Sequence, residues 1–328
     1  PVVLVLLCGF FTALTGGSGV TILALGGLFL PLLLKEGYSK TFSLGLVTAA
    51  GSLGLLFPPS LPLILYALTA GISVKSVFLA GLLPGLIRVG IVSAWAVWQG
   101  RSHSISKHKF NLSKANNAFK EAKWEVLIPF FILFGIFGGF TTLVETAAIT
   151  VVYVIAVEVI IYKDLKWRDL IKISNECGTL IGGVLIILGV AMGLTSFLVD
   201  AQVPLHLLDW VKANISSKFV FLIMLNIFLL AIGCMMDIFS AIIISVPLIA
   251  PIGAYFGIDP IHLAIIFIAN LELGFLTPPV GMNLFLSAYR FDEDMPTIYK
   301  STIPFFIAML ISVIAVTYIP ILSVWVTN

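Results

Sequence analysis

The stretch GLLFPPSLPL, residues 54–63, sets three prolines into ten residues of an otherwise apolar segment. A helix does not pass through it intact, because proline lacks the amide donor and its ring crowds the preceding turn. The whole chain makes such a break costly. It is 60% hydrophobic and 10% charged over 328 residues, with a mean hydropathy of +1.14, far from the roughly 25% charged residues of a soluble domain. Apolar runs at 125–143, 144–162, 178–199 and 303–326 approach the about 20 residues that a spanning helix needs. The chain is therefore expected to be an all-α polytopic membrane protein. A net charge of +2 gives no argument for nucleic acid, and Cys8, Cys177 and Cys234, odd in number and set in or beside apolar segments, suggest no disulfide framework. The opening PVVLVLLCGFFTAL has no charged n-region before a cleavage site, so the chain is expected to begin inside a longer protein.

The proline break occurs twice. Sliding the sequence against itself by 220 residues sets Pro31 on Pro251, Gly37 on Gly257, Gly54 on Gly274, Pro58 and Pro59 on Pro278 and Pro279, and Pro84 on Pro304. Each copy has an apolar run interrupted at a glycine-rich or polar point (LTGGSGV at 14–20, GCMMDIFS at 233–240), then a Pro-Pro-broken helix, then an unbroken span. The expected domains are a first repeat, 1–99, with hairpin 1–34, broken helix 41–72 and scaffold helix 81–99. A basic connection, 100–124, leads to a second repeat, 125–328, with helices over 125–200, hairpin 218–256, broken helix 259–290 and scaffold helix 300–321. Both hairpins are expected to be re-entrant.

Charge placement orients this arrangement. With a hairpin counted as no crossing and a broken helix as one, fourteen of the eighteen Lys and Arg residues fall in the connections 35–40, 100–124, 163–172 and 290–300. The opposite side holds Lys75, Lys212 and Lys218, and Arg88 lies inside a span. The positive-inside bias makes the first side cytoplasmic and the two repeats inverted, an arrangement of many secondary transporters.

Non-helical backbone survives at membrane depth only where protein, water or a ligand satisfies it. The prolines free upstream carbonyls, hard oxygen ligands suited to an alkali cation. Half-helices expected to begin near Val20, Ser60, Ile238 and Gly281 offer unpaired N–H groups to an anion. Two symmetry-related breaks, each paired with a hairpin tip, point to binding machinery more than to packing kinks.

The segments TGGSGVTILALGG, AAGSLGLLFPPSLPLILY, FLAGLLPGL, TTLVETAA, KWRDL, GIDPIHLAII and NLELGFLTPPVGMNLF together resemble the large membrane subunit of the tripartite ATP-independent periplasmic (TRAP) transporters. The resemblance implies an elevator-type secondary transporter of the bacterial inner membrane, driven by sodium and supplied with an organic acid by a soluble periplasmic binding protein. It also implies a small four-helix membrane subunit, separate or fused. No cofactor is expected beyond the coupling sodium ions. One sodium site would involve Thr15, Gly17 and Ser18 of the first tip with Gly54, Phe57, Pro58 and Pro59. The other would involve Met235 and Asp237 with Gly274, Thr277, Pro278 and Pro279. Many family members have a second serine where this chain has Gly17, which favours a backbone ligand there. Candidate substrate contacts are Ser60, Gly281, Asn283 and Arg88. C4-dicarboxylates, sialic acid and other keto or sugar acids all fit.

Several residues have a plain structural reading beside the functional one. Asp237 either serves an ion or caps its tip. Arg88 either snorkels, pairs with a fixed acid or meets a substrate carboxylate. Glu145 suits a helix N-terminus, Asn270 and Glu272 are placed to orient the second break, and Asn283 either contacts substrate or caps its half-helix. His103 and His108 sit in the polar connection; His206 and His262 lie near membrane ends without metal-ligand spacing. The segment KDLKWRDLIK at 163–172 reads as an interfacial helix, and the 100–123 connection is suited to anionic lipid headgroups, although topology alone explains its charge. Gly16-Gly17-Ser18-Gly19 also fits a rhomboid-type intramembrane serine protease, but such chemistry needs a base beside the serine. A channel with re-entrant loops would share the half-helices, as would a one-component sodium- or proton-coupled carrier. In the transporter reading, the hairpins and broken helices move against a scaffold that includes 81–99, 125–162 and 300–321.

Overall fold

A computed structural model describes residues 1–100 and 122–325. Most of the basic connection expected at 100–124, with His103 and His108, lies outside the described residues. The chain divides into two compact units, Pro1–Ser106 with Ala191–Asn328, and Lys107–Val190.

The described residues are helical with connecting turns. The first copy runs α1 (Val2–Thr15), α2 (Ser18–Lys35), α3 (Lys40–Ala50), α4 (Leu61–Ala70) and α5 (Val74–Gly100). Then come α6 (Lys123–Phe137), α7 (Leu143–Ala156) with a π-turn over Val157–Ile161, α8 (Trp167–Asp200) and α9 (Val203–Asn214). The second copy is α10 (Lys218–Met235), α11 (Ile238–Tyr255), α12 (Pro260–Gly274), α13 (Met282–Phe291) and α14 (Met295–Tyr318), followed by the short α15 (Ile321–Val324). The 220-residue offset carries Ser18–Lys35 onto Ile238–Tyr255 end to end, and Lys40 onto Pro260. Among the described residues, six segments are long and apolar enough to cross a membrane: Ser18–Lys35, Val74–Gly100, Val144–Ile161, Lys218–Met235, Ile238–Tyr255 and Met295–Tyr318.

The interrupted runs expected at 1–34 and 218–256 each hold two helices, α1 with α2 and α10 with α11. At 18 residues each, α2, α10 and α11 extend about 27 Å at 1.5 Å per residue, and α2 and α11 continue through internal prolines, Pro31 in the one and Pro247 and Pro251 in the other. The helix expected to begin near Val20 begins at Ser18. The segment 163–172 is not a separate interfacial helix. From Trp167 it forms the first turns of the 34-residue α8, since no proline or glycine punctuates the run until Gly178.

In the first unit the two copies interlock. The second arm of each hairpin packs on the far half of the other copy's broken helix, α2 on α13 and α11 on α4. The near halves cross over likewise, α3 packing on α14 and α12 on α5. Leu44, Leu284 and Ile298 form one buried knot of this crossing, covered by Leu30, Phe291 and Tyr299. The segments expected as scaffold, 81–99 and 300–321, are the cores of α5 and α14, which run instead from Val74 and from Met295 and pack directly on the broken helices.

A buried charge pair fastens that packing. Arg88 of α5, 1% exposed, ion-pairs with Glu272 of α12, 0% exposed. It also donates from Nε to Ser312 Oγ of α14 at 3.0 Å and from Nη2 to the Ala269 carbonyl at 3.2 Å. Arg88 therefore does not snorkel. A guanidinium in an apolar surrounding is held by an acid and further acceptors, and here they come from two other helices.

Helices α6 and α7 pack together, and α7 opens with a capping box in which Thr142 and Glu145 satisfy one another's backbone donors. Glu145 is thus a structural cap. Tyr153 Oη donates to the Trp124 carbonyl at 3.0 Å, tying the two helices together.

The packing makes two substitutions informative. Arg88→Ala strands the Glu272 carboxylate and is expected to lower stability by about 3–5 kcal/mol, with most of the loss recovered by pairing Arg88→Met with Glu272→Leu, as read by thermal unfolding in detergent. A Cβ on Gly274 would lie 2.7 Å from the Cα and carbonyl carbon of Gly233. Gly274→Ala is therefore expected to cost about 1–3 kcal/mol, whereas Gly90→Ala, with nothing within 4 Å, should be neutral or stabilising by up to about 1 kcal/mol.

Candidate functional site

Each hairpin turns at a two-residue tip, and the two tips are built differently. At the first, Thr15 ends α1 with its hydroxyl on the Phe11 carbonyl at 3.0 Å. Gly16 takes the left-handed conformation (φ 68°), and extended Gly17 precedes α2 with no side chain capping the helix. The first N–H groups of α2 thus receive no side-chain acceptor from their own N-cap. At the second tip Met235 is 69% exposed, and Asp237 is the N-cap of α11. Asp237 Oδ1 accepts from the Phe239 and Ser240 amides at 2.9 and 3.0 Å, and Oδ2 accepts from Ser240 Oγ at 2.6 Å. Of its two sequence readings, capping is what the geometry displays.

The breaks are compact turns. In the first, Phe57 N donates to the Gly54 carbonyl at 3.0 Å and Ser60 N to the Phe57 carbonyl at 3.0 Å. In the second, Thr277 N donates to the Gly274 carbonyl at 2.9 Å, and Thr277 Oγ1 to the Leu273 carbonyl at 3.1 Å. The Pro58–Pro59 and Pro278–Pro279 bonds are both cis. Each break lies against its own hairpin through a glycine. Gly54 meets α1 at Gly9, Thr12 and Ala13, and Gly274 meets α10 at Gly233 and Cys234. Gly281 (φ 50°) closes the second contact by donating its N–H to the Cys234 carbonyl at 3.0 Å.

The two tips border one cavity of about 200 Å³, lined by Gly16 to Val20 and Leu55 from the first copy and by Asp237 to Phe239, Phe275 and Met282 from the second. Of the expected site residues, Gly17, Ser18 and Asp237 line it directly. Gly54 and Gly274 are neighbours of its lining residues Leu55 and Phe275, and Asn283 follows Met282. Arg88 is not among the lining residues; its guanidinium is engaged by Glu272, Ser312 and Ala269. Asn283 does not cap α13. Its Oδ1 instead accepts from Ser18 Oγ at 2.7 Å, across the copies, and its N–H donates to the Phe275 carbonyl at 3.2 Å. Among the described residues, the Ser60 hydroxyl at the head of α4 and Asn283 Nδ2 are buried polar atoms without a hydrogen-bond partner.

Sequence reasoning missed three contacts here. Buried Thr12 places its hydroxyl 2.6 Å from Thr21 Oγ1 and 2.8 Å from the Gly51 carbonyl, joining both hairpin arms to the first break. Thr12 and Thr21, set in the apolar arms on either side of the tip, were the available signal. Tyr299 Oη donates to the Pro279 carbonyl at 3.0 Å, a link with no signature in sequence. Glu272 is the acid that Arg88 requires, and the need for a partner was legible although its identity was not. Asn270, expected to orient the break, donates instead to Asn226 Oδ1 at 2.6 Å and to the Ile266 carbonyl at 2.8 Å. Ser18 faces an amide rather than an imidazole, and His262 is bonded to Ser323 at 2.5 Å, so among the described residues the serine-protease reading finds no base beside its nucleophile.

Comparison with known proteins places this architecture. Residues 1–322 match the family described as the tripartite ATP-independent periplasmic transporter, DctM component. The chain is 34% identical over 326 residues to the C4-dicarboxylate TRAP transporter large permease protein of Pseudomonas aeruginosa, covering 99% of this chain and 76% of that protein. With the corresponding permease of Rhodobacter capsulatus it shares 32% identity over 340 aligned positions, covering 99% and 77%. It is 31% identical over 315 residues to the isethionate TRAP transporter permease protein DctMQ of Oleidesulfovibrio alaskensis, a match that covers 95% of this chain but 50% of that longer protein. The chain thus belongs to the DctM component family of the tripartite ATP-independent periplasmic transporters.

Proposed function

We propose that this chain is the permease of a sodium-driven secondary transporter that imports a small organic acid handed over by a periplasmic binding protein, in company with a small membrane subunit. The observation that carries this reading is the meeting of two glycine- or acid-bearing tips over one cavity, each tip seated on a helix break. Relatives named for C4-dicarboxylates and for isethionate favour a small anion, either a carboxylate or a sulfonate. The name DctMQ and greater length of the isethionate relative favour a fused small subunit as one form of the assembly.

In this proposal the anion lies at the N-terminus of α2, whose donors lack a side-chain cap, with Ser60 and Asn283 Nδ2 as the buried donors awaiting an acceptor. Sodium takes the carbonyls and hydroxyls between each tip and its break: Thr15, Gly17, Ser18, Gly54, Phe57 and Pro59 on one side, Met235, Asp237, Gly274, Thr277 and Pro279 on the other. Hard oxygen donors of this kind suit an alkali cation. Both hairpins are re-entrant from opposite faces, with the basic connections cytoplasmic. Since α5 and α14 are riveted to the broken helices by Arg88, they travel with the sites and not with the scaffold. The inverted repeat supplies two end states for alternating access by an elevator movement.

Uptake of labelled C4-dicarboxylates and isethionate into proteoliposomes holding the full permease, its small subunit and the binding protein tests the reading. Uptake is expected only when a sodium gradient and the binding protein are both present. Uptake indifferent to the binding protein would instead establish a one-component carrier. Asp237→Asn, which keeps a capping acceptor but removes the charge, is expected to raise the half-saturating sodium concentration about tenfold, the equivalent of about 1.4 kcal/mol.

A further inference from the structure

The two tip-and-break assemblies share one side chain. Asn283 is fully buried, and its Oδ1 holds Ser18 Oγ of the first tip at 2.7 Å. Its own N–H is bonded to the carbonyl of Phe275, in the second break, and its neighbour Gly281 is bonded to Cys234, next to the second tip. Asn283 thus bonds the second break and the first tip at once. Among the described residues the link has no symmetry mate. At the positions related by the 220-residue offset stand Leu63 for Asn283 and Ile238 for Ser18, both buried and neither able to hydrogen-bond through its side chain.

The rest of the α2–α13 contact is equally one-sided. Gly19 and Gly26 admit Leu286 and Phe291 of α13, and Arg290 Nε donates to the Leu23 carbonyl at 2.8 Å. The matching positions of the other contact hold Phe239, Val246 and, for Arg290, Ala70. The first hairpin is thus clamped to the second copy's broken helix by polar bonds and close backbone approach, while the matching positions of the second hairpin and α4 carry apolar side chains.

Building on the sodium reading above, we infer that Asn283 is a positioning residue that couples the two sodium sites, so that an ion ordering one tip and break favours the ordering of the other. Energetic coupling between sites requires a contiguous element that both bias. The Ser18–Asn283–Phe275 chain is that element.

The test uses the full transporter complex in nanodiscs, without substrate, and follows melting temperature against sodium chloride with choline chloride holding the ionic strength. The wild type is expected to respond steeply, with a Hill coefficient of about 2 for two coupled sites. Asn283→Leu, which installs the residue of the matching position, is expected to bring it towards about 1 and to shift half-saturation about fivefold or more. Asn283→Asp keeps an acceptor for Ser18 and is expected to retain the steepness. If Asn283→Leu does not fold, Asn283→Ala breaks the same bond without added bulk. A merely structural asparagine would lower the melting temperature equally at every sodium concentration. Wild-type steepness in the Leu or Ala variant overturns the coupling and leaves the sodium reading standing. A wild-type protein indifferent to sodium overturns both.

Discussion

Backbone hydrogen bonding in apolar surroundings is the constraint on which this structure depends. Four chain interruptions, two tips and two proline breaks, lie among helices whose outer faces are apolar, and each must satisfy the donors and acceptors it releases. The breaks do so by closing tight turns on Gly54 and Gly274. They also lie directly against the hairpins, an approach that the same two glycines permit because neither carries a Cβ. Were the breaks held away from the tips, the Gly281 amide would lose the Cys234 carbonyl and the cavity between the tips would lose its walls. Satisfying the backbone and assembling the site are thus one arrangement.

A duplicated backbone here carries unequal chemistry. Helix ends, left-handed glycines at 37 and 257, and proline pairs recur at the same offset, so both copies solve the same packing problem. The polar contacts recur far less. Arg88 and Glu272 stand where the other copy has Ala308 and Ser52. The Ser18–Asn283 bond is replaced by two apolar side chains at the matching positions, and the first tip is bare glycine where the second is capped by a carboxylate. These one-sided contacts distinguish the two copies chemically despite their shared backbone.

The Arg88–Glu272 pair also changes which helices belong together. By position in the chain, α5 and α14 look like spans that close each repeat and stand apart from it. In space they pack on the broken helices, and the buried Arg88 of α5, ion-paired to α12 and hydrogen-bonded to α14, resists their separation. Rupturing it in an apolar interior would strand a charge. The pair therefore holds α5, α12 and α14 together.

The sequence by itself determined the membrane class, the duplication, both breaks and the composition of both tips. Each is a local matter: hydropathy over about 20 residues, proline without an amide, glycine without a Cβ. It also announced that Arg88 requires an acid, because an intramembrane charge must be paired. Only the tertiary structure decided that the acid is Glu272, 184 positions away, that Asn283 serves Ser18 rather than its own helix, and that Thr12 and Tyr299 tether the breaks. The continuity of α8 through Trp167 likewise came from the structure, because charge at a helix start does not by itself end a helix. Such contacts are set by how the two copies interlock, and periodicity along one helix says which face is apolar but not which side chain on another copy it will meet.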